Sequence, residues 1–486
     1  MTSPPWDQPT WERLHPLTPV VRAGRIVSVL VVALVVSNAE GHSDGSTRLY
    51  DLAALVLVVA AGVVRWLVTR WTLDGVTLRI ESGLLRRDSR QLPLARIQAV
   101  DVVRPFLARL FGLAELRIRL AGSGSANGRL AYLSMSVATD LRARLLATHH
   151  GVDPDTPEPA AHVVTTVPPG RLVGSVLLSV GVVFVPLVVA LLILVRVSST
   201  AAVIFGSAFA TYAIGLVQGV WHRISSQYGF TVANAPDGIR VSRGLLGTVA
   251  ETIPIRRVQA LRLTEPLVWR LFDWCRLEVD VAGSEGREAG GGRSATSTKA
   301  LLPVGSHEVA RQLIAIVIPG PEPVASPPPA RARGKAPLSY HFLRAGHDDV
   351  LALATTGRVR RTTTWVPLLK AQSVRRIQGP VQRRLGLATV HLDAAGKRVR
   401  AEFRDRDIDE ADRLIDDLTS LSRAARQREE AGGIAALHEP STASAGTIAA
   451  AGWFLDPAGR HQMRYWDGTA WTTHVQDRGV AGVDSA

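Results

Sequence analysis

Leu92-Pro93-Leu94-Ala95-Arg96-Ile97-Gln98, then Pro105, then Arg109-Leu110-Phe111-Gly112-Leu113-Ala114 is a stretch that the chain writes three times. The second copy runs Ile253-Pro254-Ile255-Arg256-Arg257-Val258-Gln259, Pro266, Arg270-Leu271-Phe272. The third runs Val366-Pro367-Leu368-Leu369-Lys370-Ala371-Gln372, Pro380, Arg384-Leu385-Gly386-Leu387-Ala388. Proline and glutamine stand five residues apart in each copy, and the second proline precedes Arg-Leu by four and five. One residue of slip, between Gln372 and Pro380, is the only irregularity. A signature that keeps its spacing over three copies marks a repeated structural module. Its fixed residues (Pro93, Gln98, Arg109; Pro254, Gln259, Arg270; Pro367, Gln372, Arg384) are therefore expected to maintain the module's own shape.

Outward from the signature, each copy repeats the same pattern. Upstream, Trp71-Thr72-Leu73 and Val76–Ile80 read as two strands around an Asp74-Gly75 turn, and Tyr228–Val232 and Ile239–Val241 flank Asp237-Gly238 in the same way. Downstream, Glu115–Leu120 and Arg276–Val281 alternate with period two, the pattern of a half-buried strand. Amphipathic helices over Val137–Thr148, His307–Ile318 and Ile408–Arg426 close the copies; in the last, Ile408, Ala411, Leu414, Ile415, Leu418 and Leu421 share a face. The fold class is α+β: antiparallel strands closed by one C-terminal helix.

Four apolar stretches, about Val20–Ala39, Leu49–Val68, Leu172–Val195 and Ala201–Val220, each reach the ~20 residues that a helix needs to cross a bilayer. They are read as two transmembrane hairpins. The linker Asn38–Thr47 carries Glu40 and Asp44 but no Arg or Lys, whereas Arg13, Arg22, Arg25, Arg65 and Arg70 flank the opposite ends. Arg171 and Arg223 flank the second hairpin in the same sense, and only Arg196 in its outer turn opposes it. Basic flanks stay cytoplasmic, so both termini and all large soluble segments are expected there.

The resulting domains are 1–69 (tail and first hairpin), 70–150 (first module), 171–222 (second hairpin), 223–318 (second module), 338–430 (third module) and 452–476. Segments 151–170, 319–337 and 431–451 are read as linkers, with Pro327-Pro328-Pro329 favouring an extended polyproline II spacer. In the tail, Trp453, Trp466 and Trp471 sit among two turn signals and imply a minimal three-stranded sheet. Because Trp dominates binding hot spots, the same three residues are a candidate docking surface.

The 486 residues carry 47% hydrophobic residues and a single cysteine, Cys275, which excludes an intrachain disulfide framework and a cysteine-rich metal site. No Walker loop, no H-E-x-x-H, no G-x-S-x-G nucleophile elbow between a strand and a helix and no strand-following G-x-G-x-x-G occurs, so neither catalysis nor a cofactor nor a metal is called for. The net charge of +14 needs an anionic partner. In the third copy Arg375, Arg376, Arg383 and Arg384 cluster around the signature and are the candidate lipid- or partner-binding residues. Basic side chains near an anionic leaflet gain ~1 kcal/mol each. Nucleic acid is disfavoured, because no recognition helix or aromatic platform accompanies the charge.

The Leu-Pro-x-x-x-x-Gln, Pro, Arg-Leu-(Phe)-Gly-Leu-Ala signature behind transmembrane hairpins resembles the bacterial pleckstrin-homology-like (PH) domain of multi-copy membrane proteins. Arg13-Leu14-His15-Pro16-Leu17-Thr18-Pro19 and Gly346-His347-Asp348-Asp349-Val350 extend the likeness. The Trp-rich tail resembles a short domain of actinobacterial membrane proteins. The resemblance implies small antiparallel β-sandwiches, each closed by a helix. The function expected is a non-enzymatic scaffold in the bacterial plasma membrane. Its cytoplasmic modules would bind proteins, a second copy of the chain, or anionic phospholipid headgroups of the inner leaflet, with envelope homeostasis as the process it would serve. The alternative is a membrane enzyme or transporter with a cavity between the hairpins.

Overall fold

The computed structural model describes residues 11–21, 56–57, 60–74, 77–83, 87–120, 128–150, 161–197, 199–235, 238–282, 298–395, 399–438, 452–455, 460–466, 471–477 and 480–484. The first predicted hairpin lies mostly outside them; residues 60–67 of its second arm are helical. Two units divide the chain, Met1–Ser422 and Arg423–Ala486.

In the first module, β1 (Glu12–Arg13), β2 (Arg70–Asp74), β3 (Thr77–Ser82) and β4 (Asp88–Pro93) form one antiparallel sheet. Pro93 ends β4 and starts a 3-10 turn, Leu94–Arg96, that carries the chain over to a second sheet. Pro254 and Pro367 do the same before Ile255–Arg257 and Leu368–Lys370. Proline suits this corner because its fixed φ begins a helical turn and its missing N–H ends a ladder. β5 (Ile97–Arg104), the short helix α1 (Phe106–Leu110), β6 (Leu113–Leu120), β7 (Gly128–Ser134) and α2 (Met135–His150) complete the module.

The stretch 151–170 is not wholly a linker. His162–Thr166, whose β-branched Val163, Val164, Thr165 and Thr166 favour extended backbone, forms β8 and pairs with the strand that opens module two. Helices α3 (Pro169–Val197) and α4 (Ser199–Gln227) follow, with Phe184 stacked on Phe209 at 5.5 Å. Among the described residues one stretch, Pro169–Ala190, is long and apolar enough to cross a membrane. The base of α3 enters module two: Leu172 joins its core, and a Cβ on Gly174 would lie 3.3 Å from the Trp274 ring.

Module two consists of β9 (Thr231–Ala235), β10 (Gly238–Arg243), β11 (Thr248–Ile253), β12 (Val258–Pro266), α5 (Leu267–Arg270), β13 (Trp274–Val281), β14 (Thr298–Ser306) and α6 (His307–Val317). Module three consists of β15 (Arg344–His347), β16 (Leu351–Thr356), β17 (Arg360–Pro367), β18 (Ala371–Ile377), α7 (Pro380–Arg384), β19 (Leu387–Ala394), β20 (Arg400–Asp407) and α8 (Ile408–His438).

Modules are joined through their sheets. β5 of module one pairs with β11 of module two, giving a seven-stranded sheet in the order β7-β6-β5-β11-β10-β9-β8. β12 of module two pairs with β17 of module three in a six-stranded sheet, β14-β13-β12-β17-β16-β15. Both junctions keep one register: Val102 faces Ala250 and Leu263 faces Thr363, the same two positions of the repeat. The cores follow the sheets, so Leu351, Leu353 and Trp365 of module three are packed into the module-two core.

The Pro-rich segment 319–337 is also bound to the fold rather than free. Arg406, 2% exposed, donates from Nη2 to Ser326 O at 2.7 Å and to Ala345 O at 3.2 Å, and from Nη1 to Pro327 O at 3.2 Å. Tyr340 Oη donates to Pro328 O at 3.1 Å. A buried guanidinium needs this many acceptors, and the backbone carbonyls of Ser326, Pro327 and Ala345 supply them.

The C-terminal sheet has four strands, not three: β21 (Gly452–Leu455), β22 (Met463–Trp466), β23 (Trp471–Asp477) and β24 (Val480–Val483). The fourth strand brings Asp484 to Arg464, an ion pair that holds the Asp484 carboxyl below its ordinary range.

Candidate functional site

The three copies superpose at constant spacing. Pro93, Pro105 and Gly112 stand 161 residues before Pro254, Pro266 and Asp273, which stand 113 before Pro367, Gly379 and Gly386. Gly112, Asp273 and Gly386 all adopt the left-handed conformation (φ 67°, 55° and 61°), which Asp tolerates better than most side chains. Pro105, Pro266 and Gly379 each cap the short helix of their module. The apparent slip near Pro380 therefore vanishes, and Arg383, rather than Arg384, occupies the place of Arg109 and Arg270.

Arg109 and Arg270 act between modules. Arg109 Nη1 donates to Leu245 O at 3.0 Å, and Arg270 Nη2 donates to Arg358 O at 2.7 Å. Each acceptor lies in the turn that enters the next module's β11 or β17. Gln259 is buried and donates to Arg257 O at 3.2 Å, whereas Gln372 is exposed; the side chain of Gln98 lies outside those described.

The four candidate arginines do not converge. Arg375 pairs with Asp393 at 2.9 Å and Arg376 with Asp412 at 2.5 Å. Arg383 and Arg384 are exposed on α7. Trp471 is partly exposed on β23; the side chains of Trp453 and Trp466 lie outside those described. Among the described residues no group of three or more His, Cys, Asp or Glu is placed to hold a metal. Burial pushes the Cys275 thiol up to about 12.

What the sequence did not reveal is a basic cleft of about 330 Å³ at the second junction. Its floor is three rungs of the six-stranded sheet. Arg262 pairs across to Thr364, Thr264 pairs to Thr362, and Pro266 pairs to Arg360. Its wall is one face of β20, with Arg400 and Arg404 around Glu402. Thr264 is 2% exposed and its hydroxyl has no hydrogen-bond partner. Burial lowers the affinity of the Arg262 guanidinium for its proton; Arg360 adds to this, while Glu278, Asp280 and Glu402 oppose it. The alternation Arg360, Thr362, Thr364 was the available signal, but its partners come from strands about 100 residues before it and 40 after it.

Residues 23–149, 175–317 and 300–422 match the bacterial PH domain family, more than half of the chain. The chain belongs to that family. Residues 451–484 match a family of proteins of unknown function, DUF2510. The UPF0699 transmembrane protein YdbT of Bacillus subtilis (strain 168) is 22% identical over 320 residues, 57% of this chain and 64% of that protein. The match thus covers less than two thirds of the relative's length. With its apolar helix and that relative, the chain is a membrane protein carrying PH-like domains.

Proposed function

We propose that this protein is a non-enzymatic scaffold of the bacterial plasma membrane, anchored by two helical hairpins, with its PH-like modules laid along the cytoplasmic leaflet. The observation that carries this is the merger of α3 with the core of module two, where Leu172 is buried and Trp274 packs over Gly174. An anchor built into a core holds the whole sheet array at the surface of the bilayer. Within a Debye length of anionic headgroups, the exposed Arg383 and Arg384 gain ~1 kcal/mol each. The outer edges of β4 and β18, terminal in their sheets, support docking of a protein partner by strand addition.

Reporters fused after Ala39, Ser199 and Ala486 test the orientation and are expected to read outside, outside and inside. An external C-terminus would sink the leaflet argument. In the full chain, Arg383→Gln with Arg384→Gln should weaken retention on anionic supported bilayers by about thirtyfold, the effect of two side chains at ~1 kcal/mol each. Unchanged retention would leave protein docking as the scaffold's role.

A further inference from the structure

The cleft at the second junction has a counterpart at the first, and the two differ in charge. At the first junction the floor positions are Asp101, Val103, Val249 and Glu251; at the second they are Arg262, Thr264, Thr362 and Thr364. Two carboxylates are lost, one arginine is gained in place of Asp101, and two valines become threonines. Where Gly247 stands at the first junction, Arg360 stands at the second. Glu251 is paired with Lys299 of β14. At the second junction Thr364 takes the place of Glu251, and Arg400 and Arg404 line the opening.

A sheet that needed only to be covered would carry apolar side chains on this face. Here it holds a buried hydroxyl without a partner and a half-buried arginine beside further arginines. Guanidinium groups present paired N–H donors that match tetrahedral oxyanions, and threonine hydroxyls supply single donors between them. The volume, about 330 Å³, is that of a small-molecule site. Arg262, Arg360, Arg400 and Arg404 line the cleft against one lining carboxylate, Glu402, bonded to Arg404 at 2.5 Å, while Asp393 reaches Arg400 at 3.7 Å from outside the lining.

The geometry points to a specific site for a phosphate-bearing anion, held by Arg262, Arg360 and Arg400 with the Thr264 and Thr362 hydroxyls. The shared chemistry is a phosphoryl group, carried either by a soluble compound or by a lipid headgroup. Arg400 shares Asp393 with Arg375 of β18, at 3.7 and 2.9 Å, and the site stands whether or not β18 and α7 lie on the leaflet.

The test uses the full chain in phosphatidylcholine nanodiscs, titrated calorimetrically with inorganic pyrophosphate at physiological salt. One saturable site per chain is expected. Arg262→Gln should weaken it at least tenfold, whereas Arg311→Gln, an equal loss of charge on the exposed face of α6, should leave it unchanged. Should Arg262→Gln fail to fold, Thr264→Val, which installs the residue of the first junction, should fold and weaken binding severalfold. Absence of saturable binding, equal weakening by Arg262→Gln and Arg311→Gln, or full affinity in folded Thr264→Val would each overturn the site. A second arm replaces part of the phosphatidylcholine with phosphatidic acid. Loss of pyrophosphate binding there, reproduced by no anionic lipid lacking the phosphomonoester, supports a headgroup; retained binding supports a soluble phosphate. Both outcomes support the site and differ only in the source of the anion.

Discussion

The first and second junctions are made by the same strands of the repeat in the same register, yet the side chains above the two ladders differ in charge. At the first, β5 and β11 pair over Val102–Arg104 and Thr248–Ala250, and Glu251 beside that ladder is paired with Lys299. At the second, β12 and β17 pair over the longer span Leu261–Pro266 and Arg360–Trp365, and the corresponding face is a cleft. Backbone pairing is thus conserved between the copies while the side chains above it have diverged in charge. The joint belongs to the fold, and the chemistry above it belongs to each joint separately.

The largest expected effect breaks the longer ladder. Thr363→Pro, in the middle of β17, removes a ladder donor, orphans a buried acceptor worth ~1–3 kcal/mol and forces the ring against a neighbouring strand. A loss of ~3 kcal/mol or more is expected in chemical denaturation, with modules two and three melting together. Val249→Pro, on the shorter ladder, should cost less; equal losses would deny that the second junction is the more extensive.

An exchange of side chains comes next. Glu251→Thr takes the carboxylate from Lys299, whose side chain is only 16% exposed, and should cost ~1–3 kcal/mol. The reciprocal Thr364→Glu places a carboxylate beside Arg262 and should leave stability unchanged or raised while abolishing pyrophosphate binding. A folded Thr364→Glu chain that keeps its affinity for pyrophosphate would remove this face of the sheet from the site.

The smallest effect concerns His391 on the far side of Glu402. Burial lowers its pKa, with Arg375 and Arg400 adding to the shift and Glu402 and Asp393 opposing it. The unfolded chain then binds the proton more readily than the native state, so this contribution is complete above the unfolded pKa of ~6.5 and is lost as pH falls through the native value. His391→Gln should flatten the stability profile on the acid side of that range, and an unchanged slope would assign it to other groups.

Much of the module was legible because its signals are local. Proline corners, period-two runs such as Glu115–Leu120, and the apolar face of α8 each follow from a few neighbouring residues. The joining of β5 to β11 was not legible, since alternation reports that a strand is half-buried and is silent about which strand lies beside it. The strand His162–Thr166 was masked by the prolines and alanines around it. Arg384 was matched to Arg109 and Arg270 by the identity of the following leucine, whereas the helix cap at Gly379 assigns that place to Arg383. The cleft was hidden for a similar reason: Arg262, Arg360 and Arg400 meet only through a pairing that sequence spacing does not encode.

The shared sheets separate the unit of duplication from the unit of folding. A gene segment that begins before β9 and ends after α6 carries one complete copy of the signature, yet excision of that segment exposes the edge of β11 on one side and of β12 on the other. Neighbouring copies constrain one another, because the sheet at each junction draws strands from both. A truncation after module two would consequently damage the part it retains, and a fusion partner that replaced module three would need a strand to offer β12. The repeat behaves less like beads on a string than like overlapping tiles, where lifting one uncovers the margin of the next.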